Sequence, residues 1–286
     1  MLARTTTALV FFAIFVFSMF SNVSWAPHIL FVIVTAATLL GTHEFYKMAR
    51  MKHLRPSPWP GQLVAVAFLI DAYFFSFRHF ALIFMCCFWV LLLTQVFFKS
   101  TNFSIGNTGA SLFGSVYVGL PMAVLLCMFR YPNKWFPGIG DAAHAGGNLL
   151  VFLVVASWMT DIGGYLIGKP LGKHKMTPVL SPNKSWEGLV GGFVFSILSG
   201  VLLWQFWPGM KPLFTVAEAI LLPLLLSVVG VIGDLAESAF KRDAGVKDSG
   251  KTYTGHGGML DIIDSMLLCA PVFFVYLEWA RPHLVK

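Results

Sequence analysis

Charge is scarce in this sequence. Only 12% of its 286 residues are Asp, Glu, Lys or Arg, and just 13 are acids. So few charged groups cannot clothe the one or two soluble domains that this length would otherwise suggest. Cysteine is scarce too. Cys86, Cys87, Cys127 and Cys269 all lie in apolar runs, and none has the spacing of a zinc site or a disulfide framework. There is no low-complexity segment, no extended polar domain and no clear internal repeat. What abounds is hydrocarbon. Apolar residues make up 57% of the chain, 28 residues are Phe, and mean hydropathy is +0.75.

Apolar segments of about 20 residues recur along nearly the whole length, as crossing a ~30 Å hydrocarbon layer requires. The expected fold is all-α, a polytopic transmembrane helical bundle. Nine spans are read, near 6–23, 28–44, 61–77, 79–98, 105–129, 147–168, 188–207, 215–239 and 262–280. The first also fits a signal peptide, and the third and fourth fit one re-entrant hairpin. With the N-terminus cytoplasmic and the sides alternating, fourteen of the 20 Lys and Arg fall on the cytoplasmic face. That asymmetry is the positive-inside rule. The net charge of +7 therefore points to topology and to anionic lipid or phosphate, and no nucleic-acid partner is expected.

The N-terminal helices, 1–130, read as a scaffold offering dimer or lipid contacts. His43 and Glu44 stand at the end of a span, and Asp71 is a lone intramembrane acid. The C-terminal region, 147–286, carries the chemistry. Between Gly233 and Ser265, eleven residues are Asp, Glu, Lys, Arg or His. Asp234 and Glu237 share a helical stripe with Lys241, Asp261 and Asp264 share another, and Asp161 sits at similar depth. Desolvated carboxylates at one level need cations, and a hard divalent ion shared with substrate phosphates supplies them. Lys241, Arg242, Lys247, Lys251 and His256 add positive or titratable groups. The glycines of Gly255-His256-Gly257-Gly258 leave backbone N–H groups free to cradle an anion. Ser181-Pro182-Asn183-Lys184-Ser185-Trp186-Glu187-Gly188 has the makings of a helix N-terminus beside Lys184. Gly163 to Lys169 has P-loop spacing, but Pro170 replaces the required Ser or Thr and the segment ends an apolar helix.

Ser238-Ala239-Phe240-Lys241-Arg242, Lys247-Asp248-Ser249-Gly250, His256-Gly257-Gly258 and Asp261…Asp264 together resemble the signature of the phosphatidate cytidylyltransferases, the CDP-diacylglycerol synthases. Gly233 to Glu237 and Ser181 to Gly188 are similar to further stretches of that family, and the likeness covers roughly residues 158–270. The resemblance implies a multi-pass enzyme of the cell (inner) membrane whose site faces the cytoplasm. It would make CDP-diacylglycerol and pyrophosphate from CTP and phosphatidate. Magnesium is the implied cofactor, with a second cation and a homodimer as open options.

On that resemblance Asp234, Asp261 and Asp264 are the expected metal ligands, with Asp161 and Glu237 as supporting acids. Lys241, Arg242, Lys247, Asp248 and His256 are the expected catalytic set. Ser181, Asn183, Lys184, Ser185, Gly257 and Gly258 are expected to bind substrate. The family usually has Asp-Arg-x-Asp where this chain has Asp261-Ile262-Ile263-Asp264, and an aliphatic residue and proline where Tyr253 and Thr254 stand. Two alternatives remain on the sequence alone: a CTP-dependent polyprenol or phytol kinase, and an ion-coupled transporter.

Overall fold

The computed structural model describes residues 14, 16–21, 23–98, 104–137, 142–250 and 257–281. Their secondary structure is almost wholly helical, as a chain surrounded by lipid requires, because a helix satisfies its backbone polar groups internally. Seven helices among the described residues are long and apolar enough to cross a membrane. The predicted first span lies mostly outside the described residues.

The chain divides into two compact units. The first comprises residues 1–130 together with 243–263. Its helices are α1 (Ala26–Met51), α2 (Pro58–Phe75), α3 (Phe80–Phe98), α4 (Ser104–Gly114) and α5 (Leu120–Arg130). A π-helical turn, Ser115–Gly119, joins α4 to α5. Ser76 and Phe77 adopt left-handed backbone and break α2 from α3, giving two helices of 18 and 19 residues. The core is knitted by polar groups that are satisfied locally. Tyr46 Oη donates to the Ser111 carbonyl at 2.9 Å and meets Ser115 Oγ at 2.8 Å. Ser57 N donates to Ser111 Oγ, and Arg55 N to Asn107 Oδ1. Asp71, 1% exposed, accepts from the backbone N–H of His79 and lies 3.0 Å from its Nδ1. It therefore holds the entry to α3.

The second unit comprises residues 131–242 and 264–286. It contains α6 (Ala142–Leu171), the hairpin β1 (Lys175–Thr177) and β2 (Ser181–Ser185), α7 (Trp186–Phe206) and α8 (Val216–Asp243). The last helix, α9 (Leu260–Val275), gives its first turn to the first unit and the rest to the second. It closes in the π-helical turn Tyr276–Ala280. The expected helix N-terminus does fall within Ser181–Gly188, but its first five residues, Ser181–Ser185, form a strand. The helix begins at Trp186, where Ser185 Oγ caps it by accepting from Gly188 N at 3.1 Å.

Helices α6 and α7 pack most extensively, along a seam of small residues. A side chain at Gly163 would lie 2.6 Å from the Gly191 carbonyl oxygen, so nothing larger than hydrogen fits there. The segment Gly163–Lys169 is entirely helical, which accords with the rejection of a phosphate loop.

Candidate active site

Three sequence doublets build the site in the second unit. In each, one residue fixes the helix against a neighbour and the adjacent residue is an acid. Thr160 Oγ1 meets Ser227 Oγ of α8 at 2.7 Å, and Asp161 follows it. Ser157 Oγ donates to Ser265 Oγ at 3.1 Å, and Asp264 precedes Ser265. Gly233 brings the α8 backbone so near α9 that a Cβ there would lie 2.9 Å from the Asp264 carbonyl oxygen, and Asp234 follows it. Small hydroxyl and glycine contacts thus carry carboxylates from α6, α8 and α9 to their places.

Ligand atoms of Asp234, Glu237 and Asp264 all lie within 4.8 Å of one another. Glu237 is fully buried and ion-paired with Lys241, one turn further along α8. Asp234 Oδ2 pairs with Lys184 Nζ of β2 at 2.5 Å, and its Oδ1 lies 3.4 Å from Ser238 Oγ. Asp234 and Lys184 also border a cavity of about 350 Å³, shared with Asp161, Ser181, Asn183 and Ser185. Its walls include Tyr165, Met176, Leu189 and Val231, so polar groups converge within an apolar surround. A hollow of about 370 Å³ beside Phe206 and Trp207 has no ionisable lining and carries no such argument.

Four carboxylates face two lysines here. With all four ionised, Asp161, Asp234, Glu237 and Asp264 against Lys184 and Lys241 would leave two negative charges in a low-dielectric setting. That excess equals the charge of one divalent ion. The oxygen-only donor set suits magnesium, which takes one or two carboxylates and completes its shell with water and phosphate oxygens. Two ligands of one such ion are at most about 4.2 Å apart at ~2.1 Å each. The three carboxylates, with ligand atoms within 4.8 Å of one another, stand close to that limit, so the residues fit the ion.

The other expected residues fall elsewhere. Arg242 is exposed, and its Nε donates to the Leu180 carbonyl of the hairpin at 3.2 Å. Lys247 and Asp248 are exposed in the loop after α8. His256 and Lys251 lie outside the described residues, as do Tyr253 and Thr254.

Asp261 belongs to the first unit, where its Oδ2 accepts from Ser249 N (3.0 Å), Ser249 Oγ (2.8 Å) and Gly258 N (2.7 Å). Glu237, read from sequence as a supporting acid, is the third member of the carboxylate group. Next to the expected anion cradle, three successive backbone N–H groups are taken by this chain's own acids. Gly258 N serves Asp261, and the next two backbone N–H groups serve Glu44.

Glu44 is the residue that sequence reasoning missed. The predicted span ends at Glu44, whereas α1 continues to Met51 and leaves it inside the helix, 3% exposed. The available signal was an acid within an apolar run whose helical pattern continues past it.

The model of the Cytidylyltransferase family matches residues 2–280. The chain is similar to phosphatidate cytidylyltransferases of Staphylococcus haemolyticus, at 36% identity over 187 residues, and of Staphylococcus aureus strain COL, at 38% over 189. Each alignment covers 65% of this chain and 65% of the relative. It is also 39% identical over 179 residues to the uncharacterized protein YnbB of Escherichia coli K12, covering 58% of this chain and 59% of that protein. The matched segment thus spans somewhat less than two thirds of each of these relatives' length.

Proposed function

The chain belongs to the cytidylyltransferase family, and from that premise we propose that it joins CTP and phosphatidate into CDP-diacylglycerol and pyrophosphate. The observation that carries this reading is the group Asp234, Glu237 and Asp264, flanked by Lys184 and Lys241. Carboxylates that gather a divalent ion and lysines that meet phosphate suit two phosphorylated substrates. In the proposed reaction a phosphate oxygen of the lipid forms a bond to the α-phosphorus of CTP. The bond from that phosphorus to the β-phosphate bridging oxygen breaks, and pyrophosphate leaves with the electron pair. No protein nucleophile is required, so catalysis rests on positioning and on neutralising charge.

Asp234, Glu237 and Asp264 would hold magnesium, which when bound would neutralise phosphate charge as it builds on the leaving group. Lys184 is placed to exchange Asp234 for a phosphate oxygen, because both line the cavity. Lys241, held by Glu237, is the second phosphate contact. Ser181 and Asn183 orient the substrate from the hairpin, while Ser185 is kept for capping α7. Asp161 lines the same cavity and adds negative charge near Lys184. Arg242, exposed at the end of α8, meets incoming nucleotide, and Lys247 and Asp248 are exposed in the loop that follows. The proposed setting is the cell membrane, with this face toward the cytoplasm, where CTP is made.

Label placement tests the reaction. With CTP labelled at the α-phosphorus, the label is expected in the lipid product. With CTP labelled at the γ-phosphorus, it is expected in pyrophosphate. A γ-label entering lipid would mean a CTP-dependent kinase and would overturn the reading.

A further inference from the structure

The strongest unexplained feature is the buried acid of α1. Glu44 Oε1 accepts from Met259 N at 3.0 Å, and its Oε2 accepts from Leu260 N at 2.8 Å and lies 3.0 Å from Ser249 Oγ. A residue some 200 positions earlier in sequence therefore caps the start of α9. Ordinary caps come from the residue just before the helix, with an uncharged or acidic oxygen taking one orphan N–H. Here a full carboxylate takes two, and it faces the positive end of the helix dipole.

Ser249 ties this cap to a second one. Its hydroxyl lies within hydrogen-bond distance of Glu44 Oε2 and of Asp261 Oδ2, and its N–H also donates to Asp261. Gly250 and Gly258 pack directly on Glu44, so a side chain at either would collide with the carboxylate. Loop and helix start are thus wrapped around one charge. The consequence runs along α9: Leu260 and Asp264 stand four residues apart and share a stripe. Whatever fixes the rotation of the first turn also sets where Asp264 points.

We infer that Glu44 is a positioning residue for the proposed cytidylyl transfer, acting through Ser249 and the first turn of α9 to set the direction of Asp264, which with Asp234 and Glu237 is proposed to hold magnesium. This rests on the reading of those three acids as the magnesium ligands. A merely structural role would lower stability without changing how the protein responds to magnesium.

The test uses the full-length protein in detergent, comparing wild type with E44Q, S249A and the double variant. Glutamine keeps the shape but turns an N–H₂ group toward a backbone donor. S249A removes one hydroxyl, leaves no such mismatch, and carries the test if E44Q does not fold. The first readout is amide exchange over residues 257–264 with and without magnesium, which needs no activity. Wild type is expected to gain protection with magnesium, and both single variants to lose at least half of that gain. The second readout is the magnesium concentration giving half-maximal turnover. It is expected to rise about five-fold or more in E44Q, with the KM for CTP changed less than three-fold and the double variant no worse than E44Q.

Equal magnesium-dependent protection in wild type and variants would overturn the inference. So would an unshifted magnesium dependence, or effects of E44Q and S249A that simply multiply. If wild type gains protection with magnesium yet forms no CDP-lipid, the proposed reaction fails while the positioning role is still decided by the exchange data.

Discussion

Glu44 and Asp71 in the first unit, and Asp234, Glu237 and Asp264 in the second, are all acids within apolar helices, yet their surroundings are opposite in kind. Those of the first unit face hydrogen-bond donors. Asp71 takes the N–H and ring of His79, and Glu44 takes two backbone N–H groups and lies against a hydroxyl. Those of the second unit face one another across less than 5 Å, with Lys184 and Lys241 at the edges. A carboxylate satisfied by fixed donors holds structure. Carboxylates crowded together store a demand for a cation. Glu218 sharpens the contrast, because it lies in the second unit but is surrounded in the first manner. It accepts from Thr215 N, Tyr276 Oη and Arg281 Nη1. The surroundings, not the unit, separate the two kinds of acid.

The largest effect is expected where that demand is removed. Asp264→Asn should lower turnover by about 10³, roughly 4 kcal/mol, with the protein still folded, since the change keeps shape and deletes one charge. Steady-state rates with phosphatidate and CTP in magnesium check this. A rate within ten-fold of wild type would erase the distinction between the two kinds of acid.

Next in size is a loss of stability without loss of chemistry. Arg281, 7% exposed, pairs with Glu218 at 2.9 Å and lies 4.0 Å over the ring of Phe136. Arg281→Met should cost roughly 3 kcal/mol, because it strands a buried carboxylate. Turnover per folded molecule should stay the same. Thermal unfolding in detergent together with active-fraction kinetics separates the two, and a fall in turnover per folded molecule would place Glu218 with the reactive acids.

Asp71→Asn should be milder still, about 1 kcal/mol of stability and no change in magnesium dependence. An altered magnesium profile would break the comparison from the other side.

The smallest expected effect is a gain. Ile262, 39% exposed on the first turn of α9, stands where the resembling family has arginine. Ile262→Arg should raise turnover a few-fold, the upper bound being the roughly 2–4 kcal/mol of one charge-stabilising contact. A lower rate in folded protein would mean that Ile262 is needed for packing.

Much of this was legible in the sequence for one reason. Lipid forces helices and makes each ionisable group within them conspicuous, so Asp161, Asp234, Glu237, Asp264, Lys184 and Lys241 stood out. Helix ends were less legible. Glu44 falls at the end of the predicted span because a basic run from Lys47 to Arg55 follows it, although α1 continues to Met51. Its partners lie some 200 residues away, beyond any local pattern. The hairpin from Lys175 to Ser185 was hidden because its strands are short and half polar. The spacing of Asp261 and Asp264 suggested one shared role. Only the donors on Ser249 and Gly258 reveal that Asp261 is engaged within the loop.

The central claim is that crowded carboxylates, by gathering a divalent ion, make this protein a cytidylyltransferase. Incubating the purified protein with phosphatidate and CTP, in magnesium or in a chelator, tests it most directly. Equal amounts of CDP-diacylglycerol and pyrophosphate should form in magnesium, and neither should form in the chelator. Product formation undiminished by chelation, or CDP released with a newly phosphorylated lipid, would contradict it.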